Sequence, residues 1–330
     1  MSENRQSQTE VAVKPVVPNN RGMRRAALKS PNGPMRMAWG RFRRNPYAMS
    51  GLIVLAFYVL VALLAHWIAP FDPAEIDLFR TDLPPGTENH LLGTDEVGRD
   101  IFSRLVFSTR VSLMVGFAVA LAAVLIGTII GAVSGYFGGW IDTVCMRLVD
   151  VMNALPLLFL NILVLAIFGS KFEYMIIILA LTGWMGVARL VRGNFLQLRE
   201  MQYVEAARAI GVSNWGIIFR HLLRNASYPI IVTATLMIGG AILSESALSY
   251  LGLGIQAPAT SWGLMLSNAQ EFMLVNPMLA LYPGLCILTL VLAVNFIGDG
   301  IQHALNPRSD KGLTARRMKQ WRKKFSKSTV

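Results

Sequence analysis

The chain has 330 residues, of which 54% are hydrophobic and 15% charged, and its mean hydropathy is +0.48. The polar residues are too few to cover the surface of a soluble globule of this size. The composition therefore places the chain in a membrane. The formal net charge of +12 raises the question of a nucleic-acid partner. The distribution of that charge indicates membrane topology and contact with anionic lipid instead, and no nucleic-acid partner is expected.

Six stretches have the apolar composition and about the length of transmembrane helices, since a helix needs roughly 20 residues to cross a hydrocarbon core of about 30 Å. Gly183 and Gly186 interrupt the fourth stretch, and Arg189 and Arg192 close it. The sequence therefore predicts an all-α integral membrane protein with six transmembrane helices. The stretches are Gly51–Ala69, Val111–Ser134, Leu148–Phe168, Tyr174–Val191, Tyr228–Leu251 and Met278–Ile297.

The charges alternate in sign along the chain. Basic residues dominate before residue 51, between 189 and 224, and after 308, whereas the loop between the first two spans is acidic. Basic flanks stay in the cytoplasm, so both termini and the second and fourth loops between spans are predicted to be cytoplasmic. Six spans satisfy this pattern, whereas five or seven do not.

The same pattern divides the chain into segments. Residues 1–34 are basic with few apolar side chains and are predicted to be disordered, as is typical of such tails. Alternation of apolar and arginine residues predicts an amphipathic interfacial helix that leads into the first span at Asn45-Pro46. The predicted segments are the tail 1–34, the interfacial helix 35–50, the first span 51–69, a periplasmic or extracellular loop 70–110, a permease domain 111–307 and a basic cytoplasmic tail 308–330.

Glycines and prolines indicate local features within this plan. Gly93 and Gly98 predict tight turns in the outer loop, which is followed by an interfacial helix feeding the second span. Gly127, Gly131 and Gly135 recur every four residues, a spacing that lets another helix approach closely in lipid.

Four polar residues within predicted spans are candidates for a translocation pathway: Asn153, Asn161, Glu245 and Ser249. Pro156 lies between the two asparagines and predicts either a kinked, partly hydrated helix or a simple packing kink. A carboxylate within a span should face a cavity, a partner or water. For Glu245, solvation near the outer end of the fifth span is the alternative interpretation.

Signatures of catalysis and of metal binding are missing from the sequence. Cys145 and Cys286 lie far apart, and the histidines lack metal-ligand spacing, so no disulfide and no metal site are expected. No P-loop, Gly-x-Ser-x-Gly or His-Glu-x-x-His segment occurs. The chain is therefore not expected to be an enzyme.

A basic loop over residues 199–225 is the most informative segment. Glu205, Ala206, Ala207 and an apolar helical face precede Gly211, which can end a helix in a left-handed conformation. Ser213 can cap a second helix, whose exposed stripe is predicted to contain Trp215, Ile218, Phe219 and Leu222. The pattern predicts a cytoplasmic two-helix elbow for a partner, although an ordinary amphipathic surface hairpin has the same pattern.

At this elbow the chain resembles the membrane subunits of binding-protein-dependent ABC importers, in which a Glu-Ala-Ala, three residues, then Gly loop docks on the ATPase. The resemblance extends from about Trp39 to Arg308. It is to the peptide-type branch of the family, and within that branch the chain is similar to the second permease of oligopeptide and dipeptide importers. One departure is Leu223-Arg224, where the family commonly has Leu-Pro. The motifs that carry the resemblance are His90–Asp100, Gly135–Gly139, Glu245–Gly254, Ser261–Gly263 and Gly298–Gly300.

The resemblance implies a bacterial inner-membrane permease that forms half of a peptide pore. It further implies a homologous second permease, two cytoplasmic ATPases that bind ATP and Mg, and an extracytoplasmic substrate-binding protein; this chain itself would hold no cofactor. Nickel, glutathione or antimicrobial peptides are alternative cargoes, and a passive channel or a membrane scaffold is the alternative function. The residues implied in ATPase coupling are Glu205, Ala206, Ala207, Gly211, Trp215, Ile218 and Phe219.

Overall fold

A computed structural model describes residues 34–305, and this part of the chain is helical without a β-strand. The predicted tails 1–34 and 308–330 lie outside the described residues apart from residue 34. The helices are α1 (Pro34–Phe42), α2 (Pro46–Leu63), α3 (Ala65–Ile68), α4 (Ile101–Phe137), α5 (Gly139–Ala154), α6 (Leu157–Phe168), α7 (Phe172–Arg199), α8 (Gln202–Ala209), α9 (Asn214–Gly216), a π turn (Ile217–Leu222), α10 (Leu223–Tyr250), α11 (Trp262–Ala269) and α12 (Met278–Leu305).

Within residues 34–305, five helices are long and apolar enough to cross a membrane, and six crossings result if the bent pair α5–α6 counts as one. The prediction of an all-α, multi-span protein is confirmed. The third predicted span, Leu148–Phe168, is bent at the expected proline: α5 and α6 meet at an angle of 84°, so the kink is a break between two helices. Pro156 causes the break: it disfavours helical backbone at Leu155, which is extended with ψ 136°.

The second, fourth, fifth and sixth predicted spans are longer in the structure. The second begins at Ile101, so the expected interfacial helix and the span form one helix of 37 residues. Asp100 caps this helix, since its carboxylate accepts a hydrogen bond of 2.7 Å from the Ser103 amide. The fourth continues through Gly183 and Gly186 to Arg199.

The N-terminal helices pack on the end of the last helix. The predicted interfacial segment 35–50 is two elements, α1 and the start of α2, separated by a turn at which Asn45 caps α2 through the Tyr47 and Ala48 amides. Phe42 is buried with Ala48 and Ala304. The chain therefore joins the beginning of the first span to the end of α12.

The most extensive helix–helix contact lies between α4 and α7. A Cβ atom at Gly127 would lie 2.6 Å from the Trp184 carbonyl oxygen, and one at Gly131 would overlap the Ala188 carbonyl oxygen. A Cβ atom at Gly135 would lie 2.7 Å from the Cβ atom of Phe195. The prediction that these glycines admit a second helix is confirmed, and the second helix belongs to the same chain.

We expect Gly131→Ala to lower the free energy of unfolding by about 1–3 kcal/mol, because the added methyl group overpacks the contact with α7. Gly186→Ala is the matched control, since a Cβ at that helical position meets no atom within 4 Å. Thermal unfolding of the detergent-solubilised protein measures both. Equal midpoints for the two variants would contradict the close contact.

A candidate coupling surface and a membrane cavity

The turn between α8 and the helix that follows it has the geometry expected from the sequence. Gly211 has a φ of +80°, in the left-handed region that favours glycine. The Val212 amide donates to the Ala207 carbonyl at 3.1 Å, which closes the end of α8. Ser213 then accepts a hydrogen bond of 3.2 Å from the Gly216 amide, so the predicted serine cap is confirmed.

The prediction of a separate second helix in this elbow was wrong. The chain passes from Asn214–Gly216 through the π turn directly into α10, so residues 214–250 form one span of 37 residues. Arg224 stands where the related loops commonly have proline, and with its N–H retained the helix does not end there. The elbow therefore consists of α8 and the first turns of the fifth span.

The predicted exposed stripe of this second segment is divided between two faces. Ile218 and Leu222 are buried, whereas Trp215 and Phe219 are 56% and 59% exposed. The prediction of one exposed stripe was wrong because the π turn spaces its hydrogen bonds five residues apart, so positions three apart lie on different faces while positions four apart still share one. Ile217 joins the buried face.

The alanines of α8 also point in different directions. Ala206 and Glu205 are exposed, whereas Ala207 is buried with Val204. Ala207 thus packs inside the chain, and Ala206 is the small residue on the outer face. The expectation that both alanines face a partner is wrong for Ala207, which is buried, and stays a prediction for Ala206.

The buried face anchors the elbow to the ends of α4 and α7. Its apolar residues pack with Tyr136 of α4 and with Phe195 of α7. The Tyr136 hydroxyl donates a hydrogen bond of 2.8 Å to Asn214, and the Arg208 guanidinium lies 5.6 Å from the Tyr136 ring centroid. The elbow is thus held on both sides of Gly211 by one tyrosine.

The exposed face is an apolar patch surrounded by charge, which we call the coupling surface and define as Glu205, Ala206, Ile210, Trp215 and Phe219. The rings of Trp215 and Phe219 stack with centroids 6.0 Å apart, and Ile210 is 81% exposed. Exposed apolar patches with polar edges are typical of protein–protein contacts.

A cavity of about 260 Å³ lies between α4, α6, α7 and α10. Among the four predicted pathway residues, all of which the structure describes, Asn161 alone lines it. Asn161 is nearly buried, and its Oδ1 atom lacks a hydrogen-bond partner within residues 34–305. The bend after α5 brings Asn161 to this position. The walls contain Val119, Leu157, Leu158, Asn161, Leu179, Thr182, Gly183, Met237, Gly240, Ala241, Ser244 and Leu248.

The other predicted pathway residues lie elsewhere. Asn153 is on the exposed side of α5 and donates to the Val149 carbonyl at 2.8 Å. Glu245 is fully buried and accepts a hydrogen bond of 2.7 Å from Ser249. A Cβ at Gly263 would lie 2.7 Å from the Ser249 Cβ, so the outer segment closes over this pair. The solvated alternative for Glu245 was therefore wrong.

Sequence reasoning missed Thr182, Ser244 and Met237 as cavity residues. Thr182 and Ser244 are small polar residues within long apolar stretches, a signal shared by many packing positions. Their role became apparent only when the helices were assembled.

Comparison with known proteins defines the class. The family described as binding-protein-dependent transport system inner membrane component matches residues 110–311, more than half of the chain. A second family, the N-terminal transmembrane domain of oligopeptide transport permease C, matches residues 33–85. The chain belongs to the first family and is a permease subunit of an ABC importer of the bacterial inner membrane.

Two individual relatives support this family assignment. The chain is 41% identical over 275 residues to a dipeptide transport system permease protein, DppC, of Alkalihalophilus pseudofirmus, which covers 83% of this chain and 90% of the relative. It is 39% identical over 281 residues to a glutathione transport system permease protein, GsiD, of Pectobacterium atrosepticum, covering 85% and 93%.

A solved structure has the same fold. A chain of the MetNI methionine ABC transporter, in an inward-facing conformation, matches with a TM-score of 0.51 at 18% identity and covers 62% of this chain and 96% of that chain. The resemblance found in the sequence is thus confirmed at the level of family and fold.

The two faces of the elbow predict opposite results for two substitutions in one turn. Leu222→Ala should lower the free energy of unfolding by about 2–5 kcal/mol, because it leaves a cavity in the core beneath the elbow. Phe219→Ala should change it by less than about 0.5 kcal/mol, because the ring is exposed. Thermal unfolding of the isolated chain in detergent compares them, and a larger loss for Phe219→Ala would contradict the assignment of faces.

Proposed function

We propose that this chain pairs with a homologous permease to form a translocation pore, and that two cytoplasmic ATPases drive the pore through the coupling surface. The observation that carries the proposal is the division of the elbow into an anchored inner face and an exposed outer face. Ile218 and Leu222 fix the elbow to the helix bundle, and Trp215 and Phe219 remain available for a partner.

Continuity of the fifth span supports coupling between the surface and the cavity. Trp215 of the coupling surface and Ser244 of the cavity wall lie on the same span of 37 residues. A rigid-body movement of the elbow would therefore shift one wall of the cavity without an intervening loop. Such transmission requires an element shared by the two sites, and this span is helical between them, with the π turn and Pro229 on the way.

The energetics set a requirement on the ATPases. Changing the pore from a 1:99 to a 99:1 population of two states needs about 5.5 kcal/mol of differential binding. The chain carries no P-loop. We therefore assign ATP and Mg binding to the partner subunits, whose nucleotide-dependent closure would supply this energy.

The charge pattern supports the orientation. Arginines surround the elbow, whereas the loop between the first two spans is acidic. The positive-inside rule then puts the coupling surface and both termini in the cytoplasm. An extracytoplasmic binding protein would deliver cargo to the opposite side, over residues 70–100 and 251–277.

We propose small peptides as cargo. DppC is named for dipeptide transport and GsiD for glutathione transport, and glutathione is itself a small peptide. The cavity offers apolar walls with the Asn161 amide among them. An amide can both donate to and accept from a peptide group, as a peptide cargo of variable side chains requires.

We expect Glu205→Lys to abolish ATP-driven peptide uptake, and Trp215→Ala to weaken binding of the ATPase at least about 30-fold, the loss of roughly 2 kcal/mol typical of a central aromatic residue at an interface. Co-purification with the ATPase subunits and uptake into proteoliposomes measure these effects. Membrane insertion should be unchanged for both variants.

The matched control is Glu173→Lys, which makes the same charge change at an exposed residue near the opposite end of α7. It should bind the ATPase and transport peptide like the parent chain. Normal uptake by Glu205→Lys, or ATPase-independent uptake by the parent, would refute the proposed coupling.

A further inference from the structure

A second cavity, of about 310 Å³, lies at the end of the molecule proposed to face outward. It is enclosed by the segment Pro73–Ile76 of the first loop and by Ala257–Thr260 before α11. Arg99 and Arg104 are its charged lining residues, and within residues 34–305 no acidic residue lines it. We call it the arginine cavity.

The carboxylates of Asp95 and Glu96 bind the two arginines of the cavity. Asp95 accepts a hydrogen bond of 2.8 Å from Arg99 Nε and a second from Arg104 Nη1. Glu96 accepts from Arg99 Nη2 at 3.0 Å. These bonds fix the guanidinium groups in position before a ligand arrives, which lowers the entropy cost of binding.

The hydrogen bonds of Arg104 are incomplete. Its side chain is 3% exposed, yet its Nε atom has no hydrogen-bond partner in the described part of the chain. A buried N–H group without a partner is unfavourable, so an acceptor that reaches it gains a bond to a charged donor. Because this Nε atom has no exposed surface, an acceptor in the cavity would reach it only after the side chain shifts, and Arg99, whose side chain is 14% exposed, is the arginine that the cavity presents directly.

The surrounding loop is folded without that acceptor. Its Thr94 hydroxyl accepts from the Leu83 amide at 2.9 Å. Asp100 binds His90 at 2.9 Å and caps α4. Gly98 has a φ of +83°, and a Cβ there would overlap the Asp77 carbonyl oxygen. The arginine cavity is thus preformed by backbone packing and buried polar contacts.

We propose that the arginine cavity binds the terminal carboxylate of a peptide. A carboxylate accepts hydrogen bonds from guanidinium groups with two oxygens in one plane. The recessed position of Arg104 favours a slender chain end, and the volume suits a short peptide, since ligand pockets begin near about 300 Å³. The peptide identity of the ligand rests on the proposed function.

Charge balance determines how the site selects its ligand. Two carboxylates offset two arginines, so long-range attraction of anions is weak and selectivity comes from short-range hydrogen-bond geometry. Burial, followed by repulsion from Asp95, raises the pKa of Glu96.

The test is protection of a cysteine in the cavity wall. Cys145 and Cys286 are free thiols and are first replaced by serine. Ala259, an exposed residue that lines the cavity, is then changed to cysteine in the assembled importer in nanodiscs. Labelling by a neutral thiol reagent is followed with trialanine, with trialanine amide and with the peptide-free binding protein.

We expect trialanine to protect the cysteine and trialanine amide to leave it reactive. Arg99→Gln should raise the half-protecting trialanine concentration at least about tenfold, since a hydrogen bond to a charged group is lost. Arg80→Gln is the matched control: Arg80 lies in the same loop, pairs with Glu88 at 2.8 Å and does not line the arginine cavity. If Arg99→Gln unfolds, Arg99→Lys replaces it, because lysine keeps the charge but loses the planar fork.

Equal protection by the acid and the amide would overturn the proposal, as would an unreactive cysteine or no protection by either peptide. Protection by the peptide-free binding protein alone would assign the carboxylate to that protein and overturn the peptide site. ATP-driven uptake of trialanine by the parent in proteoliposomes tests the proposed function separately, because cysteine labelling requires no transport.

Discussion

The close contact between α4 and α7 is the constraint on which the rest of the structure depends. Three glycines on α4 let its backbone approach α7, and a side chain at any of them would meet backbone or Cβ atoms of that helix. In lipid, where apolar surface gains little by leaving the solvent, such packing is a main source of association between helices. The ends of this pair near Gly135 and Phe195 carry the elbow, and its middle forms two walls of the membrane cavity.

Ion pairs attach the broken third span to this pair. Arg192 of α7 binds both carboxylate oxygens of Asp142 on α5, at 2.5 and 2.6 Å, and the Ser134 hydroxyl of α4 donates to the same carboxylate at 2.5 Å. Arg189 binds Asp150 at 2.7 Å further along the same two helices. Arginines whose sequence position indicated only topology therefore also set the position of α5, and through it the start of α6.

The opposite end is held by buried polar groups together with the ion pairs of Asp95 with Arg99 and Arg104. Glu245 and Ser249 lie under the segment that follows α10, and the Trp262 indole donates to the Leu105 carbonyl of α4 at 3.2 Å. The arginine cavity lies beside this connection. Together these contacts give the molecule two distinct ends, with an exposed apolar surface at one and the recessed arginine cavity at the other.

Local chemistry determined much of this protein from sequence alone. Hydrophobic length identified the spans, the glycine at 211 and the serine at 213 marked the turn of the elbow, and Pro156 marked the break in the third span. These features depend on residues near one another in the chain, because hydrogen bonding within a helix and restrictions on φ are local. The family resemblance came from motifs of the same local kind.

Tertiary structure decided which face of each segment is buried. The sequence put Ile218 and Phe219 on one exposed stripe, but the π turn and the surface offered by Tyr136 and Phe195 divided them. It left solvent open as the alternative for Glu245, but the distant Gly263 closes over that residue's neighbours. Burial in a bundle is set by contacts between segments far apart in the chain. The composition of a single helix does not contain that information, because every side of a membrane helix is apolar enough to face either lipid or protein.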